Sequence, residues 1–216
     1  MNWPATERFR LTPAPGGLAL VQDLLNTAPA GRPDSVDLLA DGALDRAQEW
    51  ADPAVRGWAA ETGRGDMRLT LSAEDLSELR CLRDQVRRAL AAGDCGGDAV
   101  RFTSAPVVVG LAGDGTLTLE PEGAGARWLA SAVLAEGLLA QASGTWRRLK
   151  ICRNPSCSAA FYDRSRNNSG VWHSVRGCGN AAHLRACRER RRGHTGAEQG
   201  AGQGAGQGAE ESGVIA

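Results

Sequence analysis

Four side chains able to bind a soft metal fall within 27 residues: Cys152 and Cys157 in Cys152-Arg-Asn-Pro-Ser-Cys157, then His173 and Cys178. Each pair spans the same four-residue gap. Thiolates and an imidazole at such spacing suit tetrahedral zinc. The same stretch holds His183, Cys187 and His194, so the second half of a site has two solutions. In one, His173 and Cys178 close a Cys3His set. In the other, Cys178 joins Cys187 or His183 on a following helix. The equal gaps favour the first, with Cys152, Cys157, His173 and Cys178 as ligands. Trp172 would shield the metal, and Gly177 and Gly179 give Cys178 the backbone freedom a knuckle uses. Phe161, Tyr162 and Trp172 would form a small apolar core that metal must staple. A catalytic zinc wants an open position and a nearby general base. Here the stretch offers only Asp163 and Glu189, with no His-x-Glu or His-Glu-x-x-His pattern. One structural zinc is therefore expected, and no catalytic residue.

Arginine surrounds these ligands. Residues 146–194 carry 12 Lys/Arg against two acids, a net +10, while residues 1–145 carry −7 and the last 22 residues −3. The formal net charge of zero thus hides a basic module on an acidic body, which points to an anionic partner. Only Lys150 is a lysine, so clustering rather than abundance of Arg carries this inference. Beyond Asn180 the sequence fits a helix with Ala181, Leu184 and Cys187 on one stripe. Arg185, Arg188 and Arg192 lie on a neighbouring face. Arg190 and Arg191 widen the positive field, and Arg164, Arg166 and Arg176 precede it. Guanidinium groups so presented suit phosphates. Favourable placement at a helix C-terminus accounts for two or three arginines, not for the excess across the module.

The elements that must position these groups are legible to different degrees. Residues 1–15, with Pro4, Pro13 and Pro15, read as an irregular arm. Residues 17–26 are apolar without a decisive period and fit a strand or a helix start. Leu38, Leu39, Leu44, Trp50 and Trp58 read as short helices with turns between. Ser72-Ala-Glu-Asp75 resembles a capping box, and Leu76, Leu79, Leu82, Val86 and Leu90 follow at helical spacing to Gly93. Residues 105–112 and 116–119 flank Gly-Asp-Gly as a hairpin. Residues 126–149 read as a long helix weakened at Gly137 and Gly144. The fold class is therefore α+β: a mainly helical N-terminal domain with a small β-hairpin, then a zinc-stapled finger ending in a basic helix. The domains are 1–145, 146–193 and a disordered Gly/Ala/Gln-rich tail at 194–216. Cys81 and Cys95 read as incidental or small buried residues, and Cys187 as core-facing. Trp3, Trp50, Trp58, Trp128 and Trp146 read as core residues, with the lining of a ligand pocket as the alternative.

No apolar stretch reaches 18 residues and no basic-then-apolar leader is read, so a reduced cytoplasmic compartment without membrane contact is expected. Clustered cysteines there mean metal or catalysis rather than disulfides.

Cys152-x4-Cys157, Phe161-Tyr-Asp-Arg-Ser165, Trp172 and Cys178-Gly-Asn180 resemble the CGNR-type zinc finger, and Arg148-Leu-Lys-Ile-Cys152 resembles its lead-in. Gly16-Gly-Leu-Ala-Leu20, Leu24-Leu-Asn-Thr27 and the helix from Leu76 to Leu90 are similar to the ABATE domain that precedes this finger. The resemblance covers residues 15–192 and implies a bacterial transcription regulator whose finger binds nucleic acid. Where the family pattern has a third Cys after the Trp, this chain has His173. Its Gly-Asn is followed by Ala181 rather than Arg, and Asn168-Ser-Gly-Val171 replaces a basic stretch. Both changes remove positive charge, and loss of nucleic-acid binding is one outcome they allow.

The leading expectation is a DNA-binding regulator, nucleoid-associated, whose N-terminal domain senses a small-molecule effector or forms a homodimer. One alternative is an RNA-binding module using Phe161, Tyr162 and Trp172 as stacking platforms. Another is a zinc-dependent protein-interaction module. Enzyme chemistry is not expected: residues 1–145 contain no His, no Gly-x-Ser-x-Gly and no phosphate loop.

Overall fold

The computed structural model describes residues 2–29, 31, 35–92, 105–188 and 190. Expectations for Gly93, Cys95, Arg191, Arg192, His194 and the tail lie outside these residues. Residues 1–173 form one compact unit and residues from 174 onward a second.

The first unit is built around an eight-residue helix with no polar face. Helix α2 (Leu18–Leu25) is buried at every position and packs on α1 (Pro4–Glu7), α3 (Leu44–Glu61), α4 (Asp75–Ala92) and α5 (Gly125–Ala142). Because neighbours surround it, its apolar residues show no one-sided helical period, and periodicity could not separate helix from strand. Leu20, Leu24 and Leu25 reach zero exposure, each contributing about 1.5–3 kcal/mol by burial.

The supposed N-terminal arm is a corrected expectation. Pro4 starts α1, and Trp3 is buried with its indole against Gly57. The short helices expected around Trp50 and Trp58 are also corrected, since both sit on the single helix α3. That helix continues through Pro53, whose missing N–H would have bonded four residues back to the exposed Glu49. Trp58 meets Trp128 edge-on at 5.5 Å, and its indole N–H donates to buried Glu136 at 2.9 Å. Trp3, Trp50, Trp58 and Trp128 are thus core residues.

The capping box forms as expected: Ser72 N–H and Oγ both donate to Asp75 Oδ2, and Asp75 N–H points back at Ser72 Oγ. Strands β1 (Val107–Leu111) and β2 (Leu117–Pro121) pair antiparallel across the Gly-Asp-Gly turn. Helix α5 stops at Ala142, not at 149. Gly144 adopts φ 72°, and Thr145 N–H returns to the Ala140 carbonyl, which closes the helix end. Gly137 does not break α5; its missing Cβ admits the Trp146 ring, which a methyl group would meet at 3.2 Å. After a 3-10 turn (Trp146–Arg148), β3 (Leu149–Ile151) and β4 (Ala160–Tyr162) form a second hairpin. Leu149 and Ala160 belong to the same buried core as α2.

The second unit begins with a wide turn, Val175–Gly179, and continues as helix α6 over residues 180–188. Together these give a mostly helical domain, small antiparallel hairpins and a finger that ends in a helix. No helix among the described residues is long and apolar enough to cross a membrane.

Candidate metal centre

The β3–β4 hairpin presents the first two cysteines. Leu149, Lys150 and Ile151 face Tyr162, Phe161 and Ala160 across the ladder, and Cys152 N–H donates to the Ala159 carbonyl at 2.8 Å. The six-residue knuckle then folds on Asn154. Its carbonyl accepts the N–H of Cys157 at 2.8 Å and of Ser158 at 3.2 Å, and its Oδ1 accepts the N–H of Ser156 at 3.2 Å. Ser158 closes the turn in the left-handed region, φ 55°. The left-handed residue of the knuckle is thus Ser158, not a glycine beside Cys178.

His173 is delivered by a loop that the chain's one lysine organises. Lys150 Nζ donates to Asp163 Oδ2 (2.7 Å), the Asn168 carbonyl (2.6 Å) and the Gly170 carbonyl (3.0 Å), which uses all three of its N–H groups. Asp163 also accepts the N–H of Ser165 and of Gly170. Burial opposes ionisation of Asp163, but the Lys150 ammonium, Ser165 and the Gly170 amide outweigh it and hold the carboxyl far below its usual range. The loop ends where the Val171 carbonyl accepts Arg153 N–H at 3.1 Å, two residues before His173. The segment that replaces the expected basic stretch is therefore structural: Asn168 Nδ2 also donates to the Arg147 carbonyl at 3.2 Å.

Cys178 lies in the Val175–Gly179 turn, where its N–H donates to the Ser174 carbonyl at 2.9 Å, and Ser174 Oγ caps the turn by accepting Gly177 N–H at 3.0 Å.

The ligand atoms of Cys152, Cys157, His173 and Cys178 all lie within 4.8 Å of one another. A tetrahedral ion with Zn–S bonds near 2.3 Å needs sulfurs about 3.8 Å apart. Cys157 Sγ sits 3.3 Å from His173 Nδ1, and the three cysteines are buried. Cys152 is drawn down from the ordinary thiol range, first by Cys157 and then by His173, against the opposing effect of burial. Buried sulfurs within 4.8 Å of one another, one of them shifted toward its thiolate, fit a cation. Four protein ligands fill a zinc coordination shell, so the centre is a closed, structural Cys3His site for one zinc.

Of the alternative ligands, His183 pairs instead with Cys187 (Nε2 to Sγ 3.6 Å), where Arg190 also donates to the sulfur at 3.3 Å. Cys187 is half-buried on α6, and Cys81 is exposed.

Among the arginines, Arg166, Arg176, Arg188 and Arg190 are exposed and Arg185 is half-buried. Arg164 is exposed yet engaged, donating to the Pro13 carbonyl at 2.7 Å and lying 5.5 Å over the Tyr162 ring. Phe161 is buried and Tyr162 half-buried, so neither is a free stacking platform; Trp172 is half-buried.

The residues that seat the hairpin come from far away in sequence. Asn26 Oδ1 accepts Ala160 N–H at 2.8 Å, and Asn26 Nδ2 donates to the Ala160 carbonyl at 3.0 Å. Gln22 Nε2 reaches the same carbonyl at 3.3 Å. Arg87 donates to the carbonyls of Leu25 (2.7 Å) and Ser158 (2.6 Å), tying α2 to the residue after Cys157. The one sequence signal was Gln22 and Asn26 standing inside an apolar run.

No curated protein matches the chain. Residues 148–191 match the family model of the CGNR zinc finger, so this segment is a zinc-binding finger of the CGNR type, with Cys152, Cys157, His173 and Cys178 as its metal set.

Proposed function

We propose that the protein is a DNA-binding transcription regulator that holds DNA phosphates through the arginines of its finger. One observation carries this reading. Among the described residues after Glu136, Asp163 is the only carboxylate, and it is buried against Lys150 and backbone amides. Among the described residues, no ion pair joins the exposed Arg166, Arg176 or Arg188 to a carboxylate. Such an un-neutralised field attracts a polyanion and gives salt-dependent binding. The zinc fixes the backbone from which the arginines project, and no catalytic role is assigned to it. In this reading the N-terminal domain is ABATE-like and senses a ligand or forms a homodimer, and the protein acts in the cytoplasm on the nucleoid.

Duplex DNA is preferred over single-stranded RNA because burial removes Phe161, and Arg164 covers Tyr162. The test is anisotropy of a labelled 30-bp duplex titrated with the zinc-loaded chain at several salt concentrations, with and without chelator. Binding that weakens steeply with salt and disappears on chelation is expected. A zinc-loaded chain that ignores DNA at low salt refutes the reading and leaves an acidic protein partner for this face.

A further inference from the structure

Within the first unit, a cavity of about 650 Å³ opens between the last turn of α4 and β3, and none of Arg164, Arg166, Arg176, Arg185, Arg188 and Arg190 lines it. Its apolar lining comes from Leu90, Ile151, Val171 and the indole of Trp146. Ala89 and Ala91 flank Leu90 with short side chains, which keeps the α4 side open. Three cations also line it: Arg147, Lys150 and Arg153. Lys150 is spent on Asp163 and two carbonyls. The guanidinium groups of Arg147 and Arg153 are different: both residues are exposed, and neither makes a side-chain hydrogen bond or ion pair among the described residues. Among the described residues, no Asp or Glu lines the cavity.

We propose that this cavity is a binding site for a small aromatic monoanion, such as an aryl carboxylate. Two arginine forks at the rim suit a carboxylate head, which Arg recognises through paired hydrogen bonds. The indole and three aliphatic side chains suit a flat apolar body. The volume argues against inorganic phosphate or acetate, which would leave the apolar wall wet. It falls within the range of small-molecule sites, roughly 300–1,000 Å³. A zinc-loaded Cys3His set carries a formal −1 beside Cys152, which lines one end, and the two free arginines keep the surroundings net positive. A ligand there would touch β3, Arg153 and Val171, and the last two are joined by the hydrogen bond that precedes His173. Most of the lining belongs to the finger and the N-terminal domain supplies only Ala89, Leu90 and Ala91 of α4, so the site places the ligand-sensing reading where β3 meets α4 rather than inside the N-terminal domain. It rests on that reading only for its regulatory consequence, and the binding test below uses no nucleic acid.

The experiment is calorimetric titration of the full, zinc-loaded chain with 2-naphthoate, and with 2-naphthylmethanol as the uncharged counterpart. One naphthoate per chain is expected, bound at least about tenfold more tightly than the alcohol. Arg147→Gln with Arg153→Gln should weaken naphthoate by about tenfold or more, with little effect on the alcohol. Ala91→Trp, at an exposed position on the cavity wall, should exclude both ligands, and Arg127→Gln on α5 should change nothing. Zinc content and melting temperature, read on every variant, separate loss of the site from loss of the fold. The proposal is overturned by an absence of naphthoate binding up to about 5 mM, the weak end of specific recognition. Equal affinity for acid and alcohol, or binding that survives the double arginine substitution or Ala91→Trp, also overturns it.

Discussion

Asn26 holds Ala160 by both backbone polar groups, accepting its N–H at 2.8 Å and donating to its carbonyl at 3.0 Å. On the other side of the chain, Cys152 N–H bonds to Ala159, so the polar groups of Ala160 face outward from the two-stranded ladder. A primary amide has the donor and acceptor of a peptide group. Asn26 thus stands in for the third strand that this hairpin lacks, and it does so from the central helix. The finger's first hairpin is seated on the N-terminal core before any metal is considered.

Replacing Asn26 by Leu should therefore expose the cost of unpaired backbone. The Ala160 N–H loses its only described partner, while the carbonyl keeps Gln22 at 3.3 Å. A loss of about 2–4 kcal/mol is expected, combining one orphaned buried donor with a weakened acceptor. Urea unfolding of the zinc-loaded protein measures it, and a change below about 0.5 kcal/mol, the size of an ordinary surface substitution, would contradict the role given to Asn26.

Zinc stoichiometry separates ligands from bystanders. About one zinc per chain is expected. Cys157→Ser and Cys178→Ser should each strip most of it, whereas Cys81→Ser and Cys187→Ser should retain it. Affinity should also fall as pH drops, because thiolates and imidazole must lose protons to bind. Retained zinc in Cys178→Ser together with loss in Cys187→Ser would move the fourth ligand onto α6.

The parts of this design that the sequence displayed are those settled by near neighbours. The ligand gaps, the Ser72–Asp75 box and the Gly113–Gly115 turn each involve residues a few positions apart, so spacing alone specifies their geometry. Helix α2 was illegible because burial on all sides erases the period that distinguishes helix from strand. Helix α3 reads in the sequence as short helices with turns between, whereas the structure carries one helix through Pro53, whose lost hydrogen bond falls on an exposed residue and is tolerated. The grip of Asn26 on Ala160 spans 134 positions and had no local trace beyond a polar residue in an apolar run.

Asp23 adds a pH term of its own. It is fully buried on α2, where its Oδ1 accepts Thr6 N–H at 2.7 Å and its Oδ2 accepts the Trp50 indole N–H at 2.9 Å. Burial raises its pKa from 3.8 to about 6 despite these bonds. Between those values the folded chain binds more protons at this site than the unfolded chain, so its contribution to stability declines as pH rises from about 4 to about 6. A shift of that size corresponds to about 3 kcal/mol. Asp23→Asn should be less stable at pH 4, because its amide would point a donor at the Trp50 indole N–H. It should also lack the decline. Unfolding free energies taken with zinc in excess across this window give the comparison, and parallel wild-type and variant curves would show that Asp23 is already ionised at pH 4.

The arginines offer the sharpest separation of a functional from a merely solvated surface. Each phosphate neutralised on duplex DNA contributes about 0.9 to the slope of log affinity against log salt. Arg166, Arg176 and Arg188 are exposed and face no described carboxylate, so substituting all three by Gln should flatten that slope by about 2–3 and weaken unrelated DNA sequences alike. Arg164 is already committed to Pro13 and Tyr162. Arg164→Gln should therefore lower thermal stability more than it changes the salt slope. If the triple variant keeps the full slope with its zinc intact, the phosphates are being read elsewhere. If Arg164→Gln alone flattens it by about 1, that side chain leaves Pro13 to meet DNA.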